Sequence, residues 1–317
     1  MMQKFVSLTL NTVNDIIRQP IVAVLTVACI VTIGIMPVIA VFSLGQEERI
    51  VRDGAAASCL VYGLFLVVVS SIASISKQIR NGTAGSILCK PVSRELFFSA
   101  TYCGIVLVCL LFAAITVIAA LLSVRMALQG IHTDWLVGTI FAAGFLLAFV
   151  VAGVQNYRGQ NFCSTLFKMF FFCLLTALIV TAFFDPDGYL VMFGSLIRWE
   201  LLAMAILIFM ALAMLASIAV TLSARSAPVV VLSCCCFIFV LGLISDYLIY
   251  SVFGSGFLTG ICASIFPDWH IFWFYGDIEE GNAVNFGYVL KACGYAALYI
   301  SGVLCLGVLS FKSAEIS

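Results

Sequence analysis

The chain has 317 residues, of which 64% are hydrophobic and only 9% are charged; its fifteen basic and fifteen acidic side chains give a formal net charge of zero. Together with a mean hydropathy of +1.21, this composition excludes an ordinary soluble globular protein and is typical of a polytopic membrane protein. Because the total charge is zero, only the placement of the charges is informative.

The first predicted element is an amphipathic helix over residues 1–19. Val6, Leu10, Val13 and Ile17 recur at helical spacing, and polar side chains fall on the opposite side. Such a helix is expected to lie in the cytoplasmic interface of the membrane. The alternative is an extended start of the first membrane helix. A signal peptide fits poorly, because the apolar run that follows is long enough to span.

Residues 20–317 predict an all-α polytopic transmembrane bundle. Since a span needs roughly 20 apolar residues, the chain holds about eight candidates, with about six as the alternative. The shortest of them is the least secure. The predicted spans are 20–44, 55–76, 97–123, 135–154, 169–184, 200–222, 229–253 and 288–311.

Local patterns inside the spans predict how the helices bend and pack. Gly34 and Pro37 fall in the first span and predict a kink there. Two sets of small residues repeat at four-residue spacing, which allows helices to approach closely in lipid. These sets are Gly144, Ala148 and Ala152, and Ala297, Ser301 and Cys305.

The cations gather on one side of the predicted topology. With a cytoplasmic amino terminus and an even number of crossings, ten of the fifteen cations fall inside against three of the fifteen acids. The positive-inside tendency therefore predicts a multi-pass protein of the inner or plasma membrane with both termini in the cytoplasm. The inside residues are Lys4, Arg18, Lys77, Arg80, Lys90, Arg94, Arg158, Lys168, Arg225 and Lys312, with Asp15, Glu95 and Glu315.

Residues 77–96, between the second and third predicted spans, form a basic segment that also carries apolar side chains. Asn81-Gly82 and Pro91 divide it into two short pieces. An ordinary basic cytoplasmic loop is one interpretation, and a docking element for another protein is the other. A second polar segment, 155–168, is predicted either to touch the same partner or simply to connect two helices.

The order of residues here resembles the first cytoplasmic loop of ABC-2 type transporter permeases, E-x-x-x-G-T-x-x-x-L-L-x-x-P-V-S-R-x-E-x-x-x-G-K-Y-x-G. The chain departs from this pattern at Gln78, where the family has an acid, and at Ala100-Thr101, where it has Gly-Lys. The matching residues are Gly82, Thr83, Leu88, Pro91, Val92, Ser93, Arg94, Tyr102 and Gly104.

Residues 254–287 are predicted to form an outer re-entrant or interfacial segment. The apolar piece 257–266 is too short to cross the membrane, and the aromatic cluster 267–275 suits the membrane surface. The segment is similar to the one before the final helix of ABC-2 type permeases, with Asp268 in place of the usual Asn. The residues in step are Pro267, Phe272, Asp277 and Gly281; Phe311-Lys312 is similar to the family's closing F-x-R-R-E.

Motifs for catalysis or cofactor binding are lacking in the sequence. Nothing matches a P-loop, so the chain is not expected to bind ATP through one of its own. A metal site built from His132, Asp134 and His270 is conceivable, but single histidines beside interfacial tryptophans are usually not ligands. The thirteen cysteines lie mostly in apolar runs without a C-x-x-C pair, and they predict no disulfide framework.

The resemblance implies a permease subunit of an ABC exporter, without enzyme activity, cofactor or nucleic-acid partner. Two permease subunits, identical or different, and two ATPase subunits would assemble in membrane lipid. The ATPases would dock on a coupling helix in segment 77–96 and drive export of a hydrophobic or lipid-linked substrate. The residues implied in docking are Gly82, Thr83, Leu88, Pro91, Val92, Ser93 and Arg94.

Two other classes of function remain open. A membrane scaffold could transmit ATPase motion to an outer partner without passing a solute. An intramembrane enzyme or secondary carrier could work alone, but it would require polar residues deep in the spans, which the sequence does not show.

Overall fold

The structure is a computed structural model that describes residues 2–40, 46–76, 93–127, 134–185, 189–253, 267–272 and 286–312. Within these ranges the chain forms nine α-helices. They are α1 Met2–Ile17, α2 Pro20–Ala40, α3 Glu47–Ser71, α4 Arg94–Ala127, α5 Trp135–Tyr157, α6 Phe162–Thr181, α7 Leu201–Ser223, α8 Pro228–Phe253 and α9 Phe286–Lys312. A π-helical turn, Ile72–Ser76, extends α3, and a 3-10 turn, His270–Phe272, precedes α9.

Seven of the described helices, α2 to α7 and α9, are long and apolar enough to cross a membrane. This confirms the predicted all-helical, multi-pass, membrane-embedded bundle. The remaining predicted span, 229–253, corresponds to α8, a helix of 26 residues. Only its part Pro228–Ile244 counts as a described apolar helix. The number of eight spans therefore stays a prediction.

Helix α1 ends at Ile17 and α2 begins at Pro20, so α1 is a separate helix, as expected, and not an extended start of the first span. The start of another helix differs from the sequence-based expectation. Helix α6 begins at Phe162 rather than near residue 169, because the Asn161 side chain accepts a hydrogen bond from the Ser164 amide at 3.5 Å. The predicted polar segment 155–168 is thereby reduced to a short turn over 158–161.

Helix α4 is the centre of the bundle. It has 34 residues, or about 51 Å at 1.5 Å per residue, which exceeds the roughly 30 Å of a hydrocarbon core. It packs against α1, α2, α3, α5, α6, α7 and α9. Its fully buried side chains include Phe98, Ile105, Phe112 and Ile115. A displacement of either end of α4 therefore alters its contacts with most of the described helices.

The helices run antiparallel between two ends of the bundle. At one end, α1 lies beside the start of α4, and Gly307 near the end of α9 lies against Phe98 of α4. At the other end, α4 and α6 finish side by side. There the starts of α3 and α7 are joined by a salt bridge of 3.0 Å between Glu48 and Arg198.

The described charged residues differ in sign between the two ends, which we call the basic end and the acidic end. The basic end carries Lys4, Arg18, Arg94, Arg158, Lys168, Arg225 and Lys312, with Asp15 and Glu95. The acidic end carries Glu47, Glu48, Asp53, Asp134, Asp185, Glu200, Asp246 and Asp268, with Arg49, Arg52, Arg125, Arg198 and Lys291.

The small residues Gly144, Ala148 and Ala152 pack inside the chain rather than on its surface. All three are buried on α5. A Cβ at Gly144 would lie only 3.2 Å from the carbonyl oxygen of Cys173 on α6. This stripe therefore joins α5 to α6. The second stripe, Ala297, Ser301 and Cys305, is exposed on α9.

Pro37 lies inside α2 and leaves a backbone carbonyl free. Proline has no N–H, so the carbonyl of Ile33, four residues earlier, loses its usual helical donor. The hydroxyl of Ser123 on α4 donates a hydrogen bond of 2.6 Å to this carbonyl. In hydrocarbon no water could do so. The proline thus ties α2 to α4 through a serine.

We expect Ser123→Ala to lower the free energy of unfolding in detergent micelles by about 1 kcal/mol, because the Ile33 carbonyl would be left without a donor. Ser217→Ala is the matched control: Ser217 is also fully buried, but its hydroxyl donates to Met214 in its own helix. Equal losses in the two variants would contradict a specific role for the Ser123 bond.

Arg125 joins the end of α4 to the end of α6. The side chain is buried, and its guanidinium donates hydrogen bonds to the carbonyls of Thr181 and Phe184. These carbonyls lie at the C-terminal end of α6, where the helix has no further backbone N–H groups to pair with them. Asp134 and Asp185 are close enough to attract the guanidinium. The arginine therefore satisfies a helix end that the apolar surroundings would otherwise leave unpaired.

We expect Arg125→Met to lower the free energy of unfolding by about 3 kcal/mol, since two hydrogen bonds from a charged donor are lost and their acceptors stay buried. Arg198→Met is the control, because the Arg198–Glu48 pair is largely exposed and should contribute less than about 1 kcal/mol. Chemical denaturation of the two variants, followed by circular dichroism, measures both. An Arg125 variant as stable as the Arg198 variant would contradict the capping role.

Candidate functional site

The structure describes part of the predicted docking segment. Gly82, Thr83, Leu88, Pro91 and Val92 lie outside the described residues. Ser93 is described and exposed, and Arg94 is the first residue of α4. The surroundings of the site are therefore given by the two helices that flank residues 77–92, α3 on one side and α4 on the other.

Ser93 begins α4 as a helix cap. Its side-chain oxygen accepts a hydrogen bond from the Leu96 amide at 3.3 Å, and its carbonyl accepts one from the Phe97 amide at 3.1 Å. Glu95 lies in the first turn, where a negative charge interacts favourably with the positive end of the helix dipole. The Ser-Arg-Glu sequence thus fixes where the segment ends and the central helix starts.

The residues directly after this cap are embedded in the bundle. Leu96, Phe97 and Phe98 are buried within the first turns of α4. The hydroxyl of Tyr102 donates a hydrogen bond of 3.2 Å to the carbonyl of Ala213 on α7. Because no flexible linker separates Ser93 from these buried residues, a displacement of Ser93 acts directly on the packed core.

The amphipathic helix α1 crosses the start of α4. The Thr9 hydroxyl approaches the carbonyl of Ala100 at 3.4 Å, and both Thr9 and Thr12 are buried. Val6 and Leu10, on the predicted apolar face, are about half exposed, at 48% and 53%. Thr9 and Thr12 therefore face the protein, and Val6 and Leu10 remain available to contact lipid.

Gly104 makes this crossing possible. A Cβ at this position would lie 2.8 Å from the Cβ of Thr12 and 3.1 Å from the carbonyl oxygen of Thr9. Only glycine lets the two helices approach so closely. Gly104 belongs to the pattern shared with ABC-2 type permeases, and the structure assigns it a packing role against α1.

We expect Gly104→Leu to displace α1 from α4, because the new side chain would overlap Thr12. Hydrogen exchange of the α1 amides, measured by mass spectrometry, should become faster while exchange in α3 and α7 stays unchanged. Gly153→Leu on α5 is the control, since a Cβ at Gly153 would meet no atom of a neighbouring helix within 4 Å. Unchanged exchange of α1 in the Gly104 variant would show that this contact does not hold the helix.

The helix that enters the segment is also anchored. After Ser71, α3 continues in the wider π-helical turn Ile72–Ser76, a form that is rare and frequent at functional sites. Ile75 is fully buried, and the turn contacts α1, α7 and α8. Both flanks of residues 77–92 are therefore held by packed helices.

The described residues conceived as metal ligands have other contacts. The Asp134 carboxylate caps α5 by accepting hydrogen bonds from the amides of Leu136 and Val137 at 3.0 and 3.2 Å. The His270 ring, through Nε2, contacts the carbonyl of Leu243 at 3.0 Å. In the described part of the chain, no three His, Cys, Asp or Glu side chains are grouped to hold a metal ion. His132 lies outside it.

Comparison of the chain with known protein families, curated proteins and solved structures finds no match in any of the three. The family resemblance therefore depends on the short motifs alone. What it implies for the function enters as a proposal.

Sequence reasoning missed two features of this site. It did not assign a contact to Thr9 and Thr12, which pack against α4, although the polar residues that it did assign to the opposite face of α1, such as Lys4 and Asp15, are exposed. It also gave no partner to Gly104. The only available signal was that a glycine sits in an apolar helix at this point, and a glycine does not identify the helix that approaches it.

Proposed function

We propose that the chain is the membrane-spanning permease subunit of an ABC-2 type exporter, and that a separate ATPase subunit docks on segment 77–96. One observation supports this most strongly. The segment joins α3 and α4, whose apolar stretches are each 67% buried, whereas those of α5 and α9 are 22% and 17% buried. A force applied there enters two of the three most buried candidate spans of the described chain; the third, α7, is also 67% buried and contacts both.

The mechanism uses α4 as a lever. Closure of the ATPase pair pushes the segment, and the push reaches α4 at the Ser93 cap. Tyr102 then carries it to α7, Phe98 carries it to α9 and Gly104 carries it to α1. Packed helices with discrete contacts transmit such a displacement, whereas a floppy loop would absorb it.

The charge distribution supports a cytoplasmic position for the basic end. Positively charged residues favour the cytoplasmic side of a membrane protein. We therefore propose an inner or plasma membrane location with the start of α1 and the end of α9 in the cytoplasm. This orientation places segment 77–96 on the side where ATP is available.

A second permease subunit completes the proposed assembly. The exposed stripe Ala297, Ser301 and Cys305 on α9 supports this part, because small residues let helices of two subunits approach closely. The same assembly needs two ATPase subunits, one for each docking segment.

The proposed substrate is hydrophobic or lipid-linked. In the described parts of the candidate spans, charged residues are confined to about the first or last two turns, as for Lys168 in α6 and Lys291 in α9. A hydrophilic ion would require charged or polar partners near the midplane.

We expect Arg94→Glu and Leu88→Glu each to reduce co-purification with the proposed ATPase subunit, and to abolish stimulation of its ATPase activity. The first variant reverses the charge of a residue proposed for docking, and the second replaces an apolar residue of the same segment by a charged one. Either change should weaken binding about tenfold or more.

Arg18→Glu is the matched control, because Arg18 is an exposed cation at the same end, between α1 and α2 and outside both polar segments. Assembly and ATPase stimulation that are unchanged in both docking variants would remove segment 77–96 from the mechanism. Export of a labelled lipid from reconstituted vesicles then separates a transporter from a scaffold, which would stimulate the ATPase without moving lipid.

A further inference from the structure

An apolar crevice lies between α2 and α5 on the flank of the bundle. Its volume is about 460 Å³. Val31 and Ile35 line the α2 side, Ala142 and Leu146 line the α5 side, and Met126 of α4 contributes to it near the acidic end. Both walls belong to candidate membrane spans. The crevice therefore opens toward the hydrocarbon of the bilayer.

The crevice extends over half of the membrane thickness. Trp135, 68% exposed in the first turn of α5, marks its limit at the acidic end. Leu146, at the middle of α5, marks the opposite limit. The eleven residue steps from Trp135 to Leu146 correspond to about 16 Å along a helix, close to half of the roughly 30 Å hydrocarbon core. Tryptophan at the outer limit suits the headgroup level of the membrane.

The chemistry of the crevice fits a saturated or unsaturated hydrocarbon chain. The single hydroxyl in its lining belongs to Thr139, and that group donates a hydrogen bond of 2.9 Å to the carbonyl of Leu136. Two glycines in the lining let Phe141 and Met126 pack closely against the walls of the crevice. A Cβ at Gly138 would lie 2.9 Å from the terminal methyl of Met126, and one at Gly34 would lie 2.5 Å from the ring of Phe141.

The volume of the crevice can be compared with the volume of an acyl chain and with that of a helix from a second subunit. A helix with side chains is about 10 Å wide, so a 16 Å length would need roughly 1,200 Å³. A hydrocarbon chain of that length, at carbon contact distances of 3.5–4.0 Å, needs on the order of 300 Å³. The observed volume of about 460 Å³ is large enough for one acyl chain and too small for a whole helix.

We propose that this crevice binds one acyl chain of a bilayer phospholipid from the leaflet at the acidic end. The chain enters beside Trp135 and ends near Leu146. Bound there, it fills the gap between α2 and α5 and supports α5, which packs mainly on α6. The proposal concerns a bilayer lipid and does not depend on the transport function.

The test uses the full-length protein in phosphatidylcholine vesicles that contain a fraction of phosphatidylcholine with a diazirine at the end of one acyl chain. After illumination, peptide mass spectrometry maps the labelled residues. We expect label near Leu146 and Val31. A second lipid, with the diazirine close to the glycerol, should label near Trp135.

Ala142→Trp fills the crevice and should reduce crevice labelling about tenfold, because the acyl chain is excluded from its apolar contacts. Ala143→Trp is the matched control: Ala143 is exposed on the same helix but does not line the crevice, so labelling should be unchanged. Val31→Phe, on the opposite wall, repeats the test if the Ala142 variant does not fold.

Three results would overturn the proposal. Labelling in Ala142→Trp and Val31→Phe could equal that of the unchanged protein. It could fall equally in Ala143→Trp, so that the crevice is not the cause. Finally, label could be spread evenly over other exposed positions such as Leu298 and Leu306 on α9, as expected for lipid that contacts the surface without a site.

Discussion

A carbonyl inside the bilayer has no water to bond with, and this constraint accounts for the polar contacts that hold the bundle together. Pro37 frees the Ile33 carbonyl of α2, and Ser123 of α4 satisfies it. The end of α6 exposes further carbonyls, and Arg125 of α4 satisfies those. Both donors come from the same helix. Hydrophobic burial cannot favour protein over lipid here, so these bonds and close packing determine which helices associate.

The central position of α4 follows from its composition and length. Its apolar stretch has a mean hydropathy of 3.2, the highest among the candidate spans, so this stretch can be surrounded without burying charge; the buried Arg125 lies beyond it, in the last turn of α4. Small residues and short polar groups at its surface, such as Gly104 and Ser123, let neighbouring helices approach. The basic end of this helix begins at Ser93, and its acidic end is fixed by Arg125. One rigid element therefore links the two membrane surfaces.

The sequence was sufficient for the fold class, because long apolar runs in hydrocarbon have only one backbone solution. It also placed a close-packing stripe at Gly144. It failed where several solutions satisfy the same pattern. The stripes at Gly144 and Ala297 look alike in sequence, yet one is buried against α6 and the other is exposed. Partner choice depends on three-dimensional neighbours, which periodicity along a single helix does not encode.

The proposed acyl-chain crevice and the proposed docking segment lie toward opposite ends of α4, and this separation matters for the proposed mechanism. Met126 lines the crevice one residue after Arg125, whose guanidinium holds the end of α6. A displacement of α4 at Ser93 moves Met126 relative to α2 and α5, because a packed helix moves as a body. The width of the crevice is then coupled to the position of the segment. Lipid composition would in turn bias that position, since coupling between two sites acts in both directions.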